Sequence, residues 1–133
     1  MITITQEDFD PGVYIDAARD RQVGGIVTFT GIVRDDSISA IELETYREAA
    51  LQELEAIRDE ALSRYALQSV DIIHRIGTLS VGDHIVLIVV GAPHRRDAFR
   101  ACEFIIDRIK ETVPIWKKEY TNEGSRWVSG EHS

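Results

Sequence analysis

The residues with chemical reach in this chain are few and cationic. His94, Arg95 and Arg96 follow one another at the start of an apolar-periodic stretch. Lys110 comes late in that stretch, Lys117 lies beyond Pro114, and Arg34 closes a run of β-branched residues. Cations at a helix start oppose the macrodipole, which is already positive there by about half a charge. With the free N–H groups of that first turn, His and Arg make a place for an anion. The competing reading is that they pair with the many carboxylates of the chain. At about 100° per residue, Arg95 falls near the angular position of Cys102, Ile106 and Ile109, along the stripe expected to be buried. Lys110 falls at its edge. Lys117 alternates with Ile115 and Glu119, opposite Trp116, Lys118 and Tyr120. A lysine among core-facing neighbours is desolvated, which lowers its pKa and suits acid–base work. The alternative is a solvated edge lysine that discourages sheet pairing.

Other chemistries lack their residues. The sequence has no P-loop, dinucleotide fingerprint or zinc pattern. The histidines at 74, 84, 94 and 132 have no paired metal-ligand spacing, so no metal and no bound cofactor are expected. His74 and His84 fall in predicted strands and read as structural; His132 falls in the tail. No Ser-His-Asp or Cys-His triad can be argued from spacing. The single cysteine, Cys102, leaves no internal disulfide, and its place on the apolar stripe reads as a small buried hydrophobe.

A length of 133 residues with 44% hydrophobic and 29% charged content suits one domain, residues 1–133, with a real core. The net charge of −8 is uneven. Gly91–Tyr120 holds seven basic against five acidic residues, and the remainder holds eight against eighteen. An acidic shell argues against sequence-independent nucleic-acid binding and suits a small anionic ligand focused into one cleft. No apolar run reaches membrane-spanning length and the N-terminus lacks a signal-peptide pattern, so the cytoplasm is expected.

The elements that position these groups follow from periodicity and punctuation. Met1–Thr5 alternates as a short strand, and Asp10-Pro11-Gly12 opens a short helix. Gly25–Arg34 reads as a strand, with Gly31 suggesting a bulge. Ile38–Tyr46 alternates with Ile41, Leu43 and Thr45 on one face, and the short loop between the two predicts a hairpin. Arg47–Tyr65 is an amphipathic helix whose stripe is Ala50, Leu51, Leu54, Ile57, Ala61, Leu62 and Tyr65. Ser69–Ile76 and His84–Val90 are core strands separated by Gly77 and the turn at Val81-Gly82-Asp83. A helix then begins at Pro93, with a stripe of Ala98, Phe99, Cys102, Ile105, Ile106, Ile109 and Val113, and Pro114 ends it. Ile115–Thr121 and Ser125–Val128 are strands. Hairpin-length connections predict an α+β fold with a largely antiparallel sheet and about three helices.

The segments VTFTGIVR (27–34), LETY (43–46), IIHRIGTLSVGD (72–83), APHRRDAF (92–99), Asp107-x-x-Lys110, PIWKKE (114–119) and GSRWV (124–128) carry a resemblance. In these, from about Gly25 to Val128, the chain resembles the large, catalytic subunits of molybdopterin synthases. The resemblance implies an α/β-hammerhead-like fold with a small additional antiparallel sheet. It implies a sulfurtransferase that builds the dithiolene of molybdopterin on cyclic pyranopterin monophosphate, in molybdenum cofactor biosynthesis. Sulfur would come from a thiocarboxylate on the C-terminal Gly-Gly of a small ubiquitin-like partner subunit, within a heterotetramer built on a homodimer of the large subunit.

Carried over by motif, Lys110 and Lys117 match the lysines at the reaction centre. Arg34, His94 and Arg95 match residues that hold the phosphate and pterin, and Arg126, beside Trp127, joins that set. The loop after Arg34 is short and only six residues follow Trp127, so pocket closure is expected to differ in detail from relatives with longer tails. The alternative function is a non-catalytic dimeric module that binds a ubiquitin-like tail or an anionic pterin.

Overall fold

A computed structural model describes residues 1–128; the tail position of His132 lies outside the described residues. The chain runs β1 (Ile2–Thr5), α1 (Pro11–Ala17), β2 (Gly25–Ile32), β3 (Ala40–Thr45), α2 (Arg47–Arg64), β4 (Ser69–Arg75), β5 (Gly77–Ser80), β6 (His84–Ala92), α3 (Arg95–Thr112), β7 (Ile115–Thr121) and β8 (Gly124–Val128). The strands form two four-stranded sheets, ordered β1-β4-β6-β2 and β5-β3-β7-β8. Only the β1–β4 pair is parallel among the described residues. The fold is α+β, with a smaller antiparallel sheet appended to a helix-covered one.

The larger sheet is buried on both faces, which is why β6 is almost continuously apolar. On one face, Ile72, Val86, Ile88 and Val90 pack against Leu54 and Ile57 of α2 and Ala98, Ala101, Ile105 and Ile109 of α3. On the other, Ile73, Leu87 and Val89 meet Ala18 at the end of α1. Asp10 caps α1 by accepting a hydrogen bond from the Gly12 N–H at 2.9 Å, with Pro11 in the first turn, where its missing donor costs nothing. The second sheet has its own core of Val33, Ile41, Leu43 and Leu79.

Three expectations are corrected. First, β2 and β3 do not form a hairpin; they belong to different sheets. The β2–β6 register slips at Gly31/Ile32, a bulge that bends the strand. Val33 then accepts from the Gly82 N–H and donates to Asp83, carrying the chain to the second core. β3 pairs instead with β5 and β7. Second, β5 is a strand where the sequence predicts only a glycine break and a turn. Gly77, at φ +93°, swings the chain out of the large sheet, and Leu79 then registers with Ile41. Third, α3 begins at Arg95 with His94 as N-cap, so Pro93 precedes the helix. Its buried arc is Ala98, Ala101, Cys102, Ile105 and Ile109. Phe99, one 100° step off that arc, is 62% exposed, and Arg95 is exposed rather than on the buried stripe. The backbone of the first turn lies against the start of β2, where a Cβ at Gly25 would come within 3.7 Å of the Arg95 Cα, while Arg95 itself stays exposed.

Candidate functional site

Where the last turns of α3 meet β7 and the end of β2, the structure holds a hollow of about 380 Å³. Arg34, Lys110 and Lys117 all line it, together with Asp36, His74 and Glu119. The rest of its wall is mostly aliphatic, including Ile38, Leu43, Ile106, Ile109 and Ile115. Three cations from distant parts of the sequence therefore share one apolar-walled space.

Each is placed by a specific element. Lys110 stands in the last turn of α3, beside the buried Ile109. Its pKa lies below the ordinary lysine value, first because burial disfavours the ammonium, then because Lys117 and Arg34 repel it. Lys117 sits in a strand hydrogen-bonded on both sides, by β3 and β8. This rules out the solvated edge lysine: its side chain is 25% exposed, on the same face as Ile115 and Glu119. Glu119 lies 3.9 Å from the Lys117 Nζ and accepts from Arg126 Nε and Nη2 at 3.2 and 3.1 Å. Arg34 emerges after the β2 bulge and pairs with Asp36 at 3.3 Å.

The structure does not bring all the sequence candidates together. His94 and Arg95 stand at the other end of α3, exposed and absent from the hollow's wall. At 1.5 Å rise per residue, the fifteen steps from Arg95 to Lys110 span about 22 Å. Arg126 does not line the hollow either, but it holds the carboxylate that does.

His74 is the lining residue that sequence reasoning assigned to structure alone. It shares parity along β4 with the buried Val70 and Ile72, on the face that α3 covers. A polar side chain at a core-facing position was the available signal. Its Nδ1 lies 2.8 Å from the Arg75 carbonyl oxygen, and burial, helped by the Lys110 charge, pushes its pKa down to about 4. His84 is structural as read: its Nδ1 lies 2.8 Å from Asp8 and its ring stacks on Phe9 at 4.9 Å. Cys102 is buried, and desolvation raises its thiol to about 11, far from a thiolate nucleophile.

A second, shallow hollow of about 310 Å³ is walled by Glu44, Thr45, Tyr46, Trp116 and Trp127 and carries no cation. Among the described residues no group of three or more His, Cys, Asp or Glu is placed to hold a metal ion, and no helix is long and apolar enough to cross a membrane. Cations, one carboxylate bridge and an aliphatic wall suit a phosphorylated or carboxylate-bearing organic molecule, with a desolvated amine available for proton or acyl transfer.

Comparison with known proteins points the same way. The family model described as MoaE protein matches residues 4–112. A molybdopterin synthase catalytic subunit from Pyrococcus abyssi is 44% identical over 129 residues, covering 94% of this chain and 87% of that one. Among solved structures, a molybdopterin biosynthesis MoaE protein from Burkholderia ambifaria aligns with a TM-score of 0.87 at 41% identity, over 99% of this chain and 90% of that one. A molybdopterin synthase from Staphylococcus aureus aligns with a TM-score of 0.89 at 40% identity, over 94% of each chain.

Proposed function

The chain belongs to the MoaE family of molybdopterin synthase catalytic subunits, and from that premise we propose that its cation-lined hollow transfers sulfur to cyclic pyranopterin monophosphate. The observation that carries this reading is the convergence of Arg34, Lys110 and Lys117 on one aliphatic-walled space. The sulfur comes from the C-terminal thiocarboxylate of a small ubiquitin-like partner subunit. Cys102, buried and held as a thiol, is unsuited to carry a persulfide, so an external sulfur source fits this chain.

In this reading the partner's extended C-terminus enters along the aliphatic wall, and Lys117 attracts the thiocarboxylate anion. Arg34 takes the phosphate, releasing Asp36. Sulfur forms a bond to substrate carbon while a carbon–oxygen bond of the cyclic phosphate breaks, and Lys110 manages the proton exchanged in that step. Hydrolysis of the resulting thioester leaves sulfur on the pterin and returns the partner as a carboxylate. Transient attachment of the partner's acyl group to a lysine is compatible with the lowered pKa of Lys110.

The second cationic group, His94 and Arg95, serves a neighbouring copy. An exposed helix start without a side-chain cap, about 22 Å from its own lysines, is free to reach a phosphate or pterin in another protomer's pocket, across the two-fold axis of a homodimer that carries a small subunit at each end. The reading also places residues 1–133 together as one domain, acting in the cytoplasm.

Reconstitution tests it. Mixing the protein with thiocarboxylated small subunit and cyclic precursor is expected to yield dithiolene product. Lys110→Ala and Lys117→Ala, each still folded, are expected to lose at least a hundredfold in rate, the range removed with a positioned acid–base group. Wild-type rates in both variants would overturn the assignment.

A further inference from the structure

Two glycines at the entry to β2 lie against the place where β6 becomes α3. The end of β6 is held from both sides. The Gln68 N–H donates to the Gly91 carbonyl at 2.7 Å, and the Gly24 N–H donates to the Ala92 carbonyl at 2.9 Å. Past that point only Pro93 and His94 precede the helix, and His94 is its N-cap, in extended backbone. The tilt of the Pro93–His94 peptide therefore sets where the first turn of α3 begins. Gly24 presses on that peptide. A Cβ at Gly24 would overlap the Pro93 carbonyl oxygen and stand 3.3 Å from the Pro93 carbonyl carbon, and both obstacles are backbone, which cannot swing aside as a side chain can. At Gly25 an added Cβ meets Arg95 only at 3.7 to 3.9 Å, an ordinary van der Waals contact.

We infer that Gly24 is a positioning residue for His94 and Arg95: its missing side chain lets the chain before β2 lie on the Pro93–His94 peptide and so fixes where the two cations are presented. The purpose rests on the sulfur-transfer reading, in which that pair holds the phosphate or pterin; the contact itself rests on the distances above. Gly24 and Pro93 are both exposed, so a methyl group at 24 is relieved by tilting one surface peptide, with the core left closed. The far end of α3 is fixed separately, by Ala101, Ile105 and Ile109 in the main core. A change at Gly24 thus moves the cations at one end of the helix and leaves Lys110 and Lys117 at the hollow. Substrate holding is separated from sulfur transfer by one glycine.

Gly24→Ala and Gly25→Ala test this together. In crystal structures, Gly24→Ala is expected to push the Pro93 carbonyl back by about 1 Å, restoring van der Waals spacing, and to carry His94 and Arg95 with it while Lys110 and Lys117 superimpose on the wild type. A first turn of α3 that stays in place overturns the inference, and so does a Gly24→Ala chain that fails to fold. In the reconstituted reaction, Gly24→Ala is expected to raise KM for the cyclic precursor about tenfold, a part of what charge-assisted hydrogen bonds to a phosphate contribute. Its kcat, and its KM for the thiocarboxylated subunit, should stay within about twofold of wild type. A glycine needed only for folding would lower kcat through the active fraction and leave both KM values alone. That pattern, or an equal rise in KM from Gly25→Ala, overturns the positioning role. Failure of the wild type to make product would instead overturn the sulfur-transfer reading and leave the crystallographic result standing.

Discussion

The Lys117 ammonium stands 3.9 Å from the carboxylate of Glu119, two residues along the same face of β7. Glu119 is also the cross-strand partner of Arg126, which grips the same carboxylate at 3.1 Å. One carboxylate thus ties a hollow-lining lysine to an arginine outside the hollow. Glu119→Gln is expected to slow sulfur transfer about tenfold by loosening Lys117. It should cost less than about 1 kcal/mol of stability, because Arg126 is left in solvent rather than buried. Initial rates and thermal melts on the same sample check both halves.

Cys102 supplies a contrasting case. Its thiol is buried against the sheet and held to about 11. Cys102→Ala is expected to leave the rate within about twofold of wild type, with a packing loss of about 1 kcal/mol. A collapse in rate with folding intact would reinstate a cysteine-borne sulfur intermediate.

The buried His74 makes stability depend on pH in a defined direction. Its folded pKa, about 4, lies below the 6.5 of an unperturbed histidine. Between those values the unfolded chain binds a proton that the folded chain does not. Stability therefore falls as pH drops through that window, by about 3 kcal/mol from this group. Denaturant melts from pH 7 to pH 4 are expected to show this loss, and His74→Gln should flatten it.

The separation of the two cationic groups gives a test by mixing. Lys117→Ala and Arg95→Ala are each expected to be inactive alone. In a random mixture of dimers about half are mixed, and each mixed dimer holds one intact pocket if the groups act across the two-fold, so about a quarter of the activity returns. No return would place both groups in one protomer's reaction or dissolve the proposed dimer.

Much of this molecule was legible before its structure. Alternation showed that Lys117 shares a face with Ile115 and Glu119, because side chains in a strand alternate whatever the strand packs on. Helical periodicity gave Ala98, Cys102, Ile105 and Ile109 of the buried arc of α3 but left out Ala101. It misplaced Arg95 and Phe99 because the arc that the sheet covers is centred on Ala98, Ala101, Ile105 and Ile109, and both residues fall at or beyond its edge on the Ile106 side. The hairpin expectation failed for a related reason. A short loop between two alternating strands favours pairing, but the bulge at Gly31/Ile32 redirected the chain before the loop began.

The sequence by itself determined the family, the cationic residue set and nearly every element, since these depend on local chemistry and spacing. Only the tertiary structure decided the company those residues keep. It put β2 and β3 in separate sheets, brought His74 and Lys110 to the wall of one hollow, and left His94 and Arg95 a helix length from the lysines. Periodicity encodes which face of an element is buried. Which other element buries it is settled by long-range packing, and the hollow that Arg34, Lys110 and Lys117 share is made of such meetings.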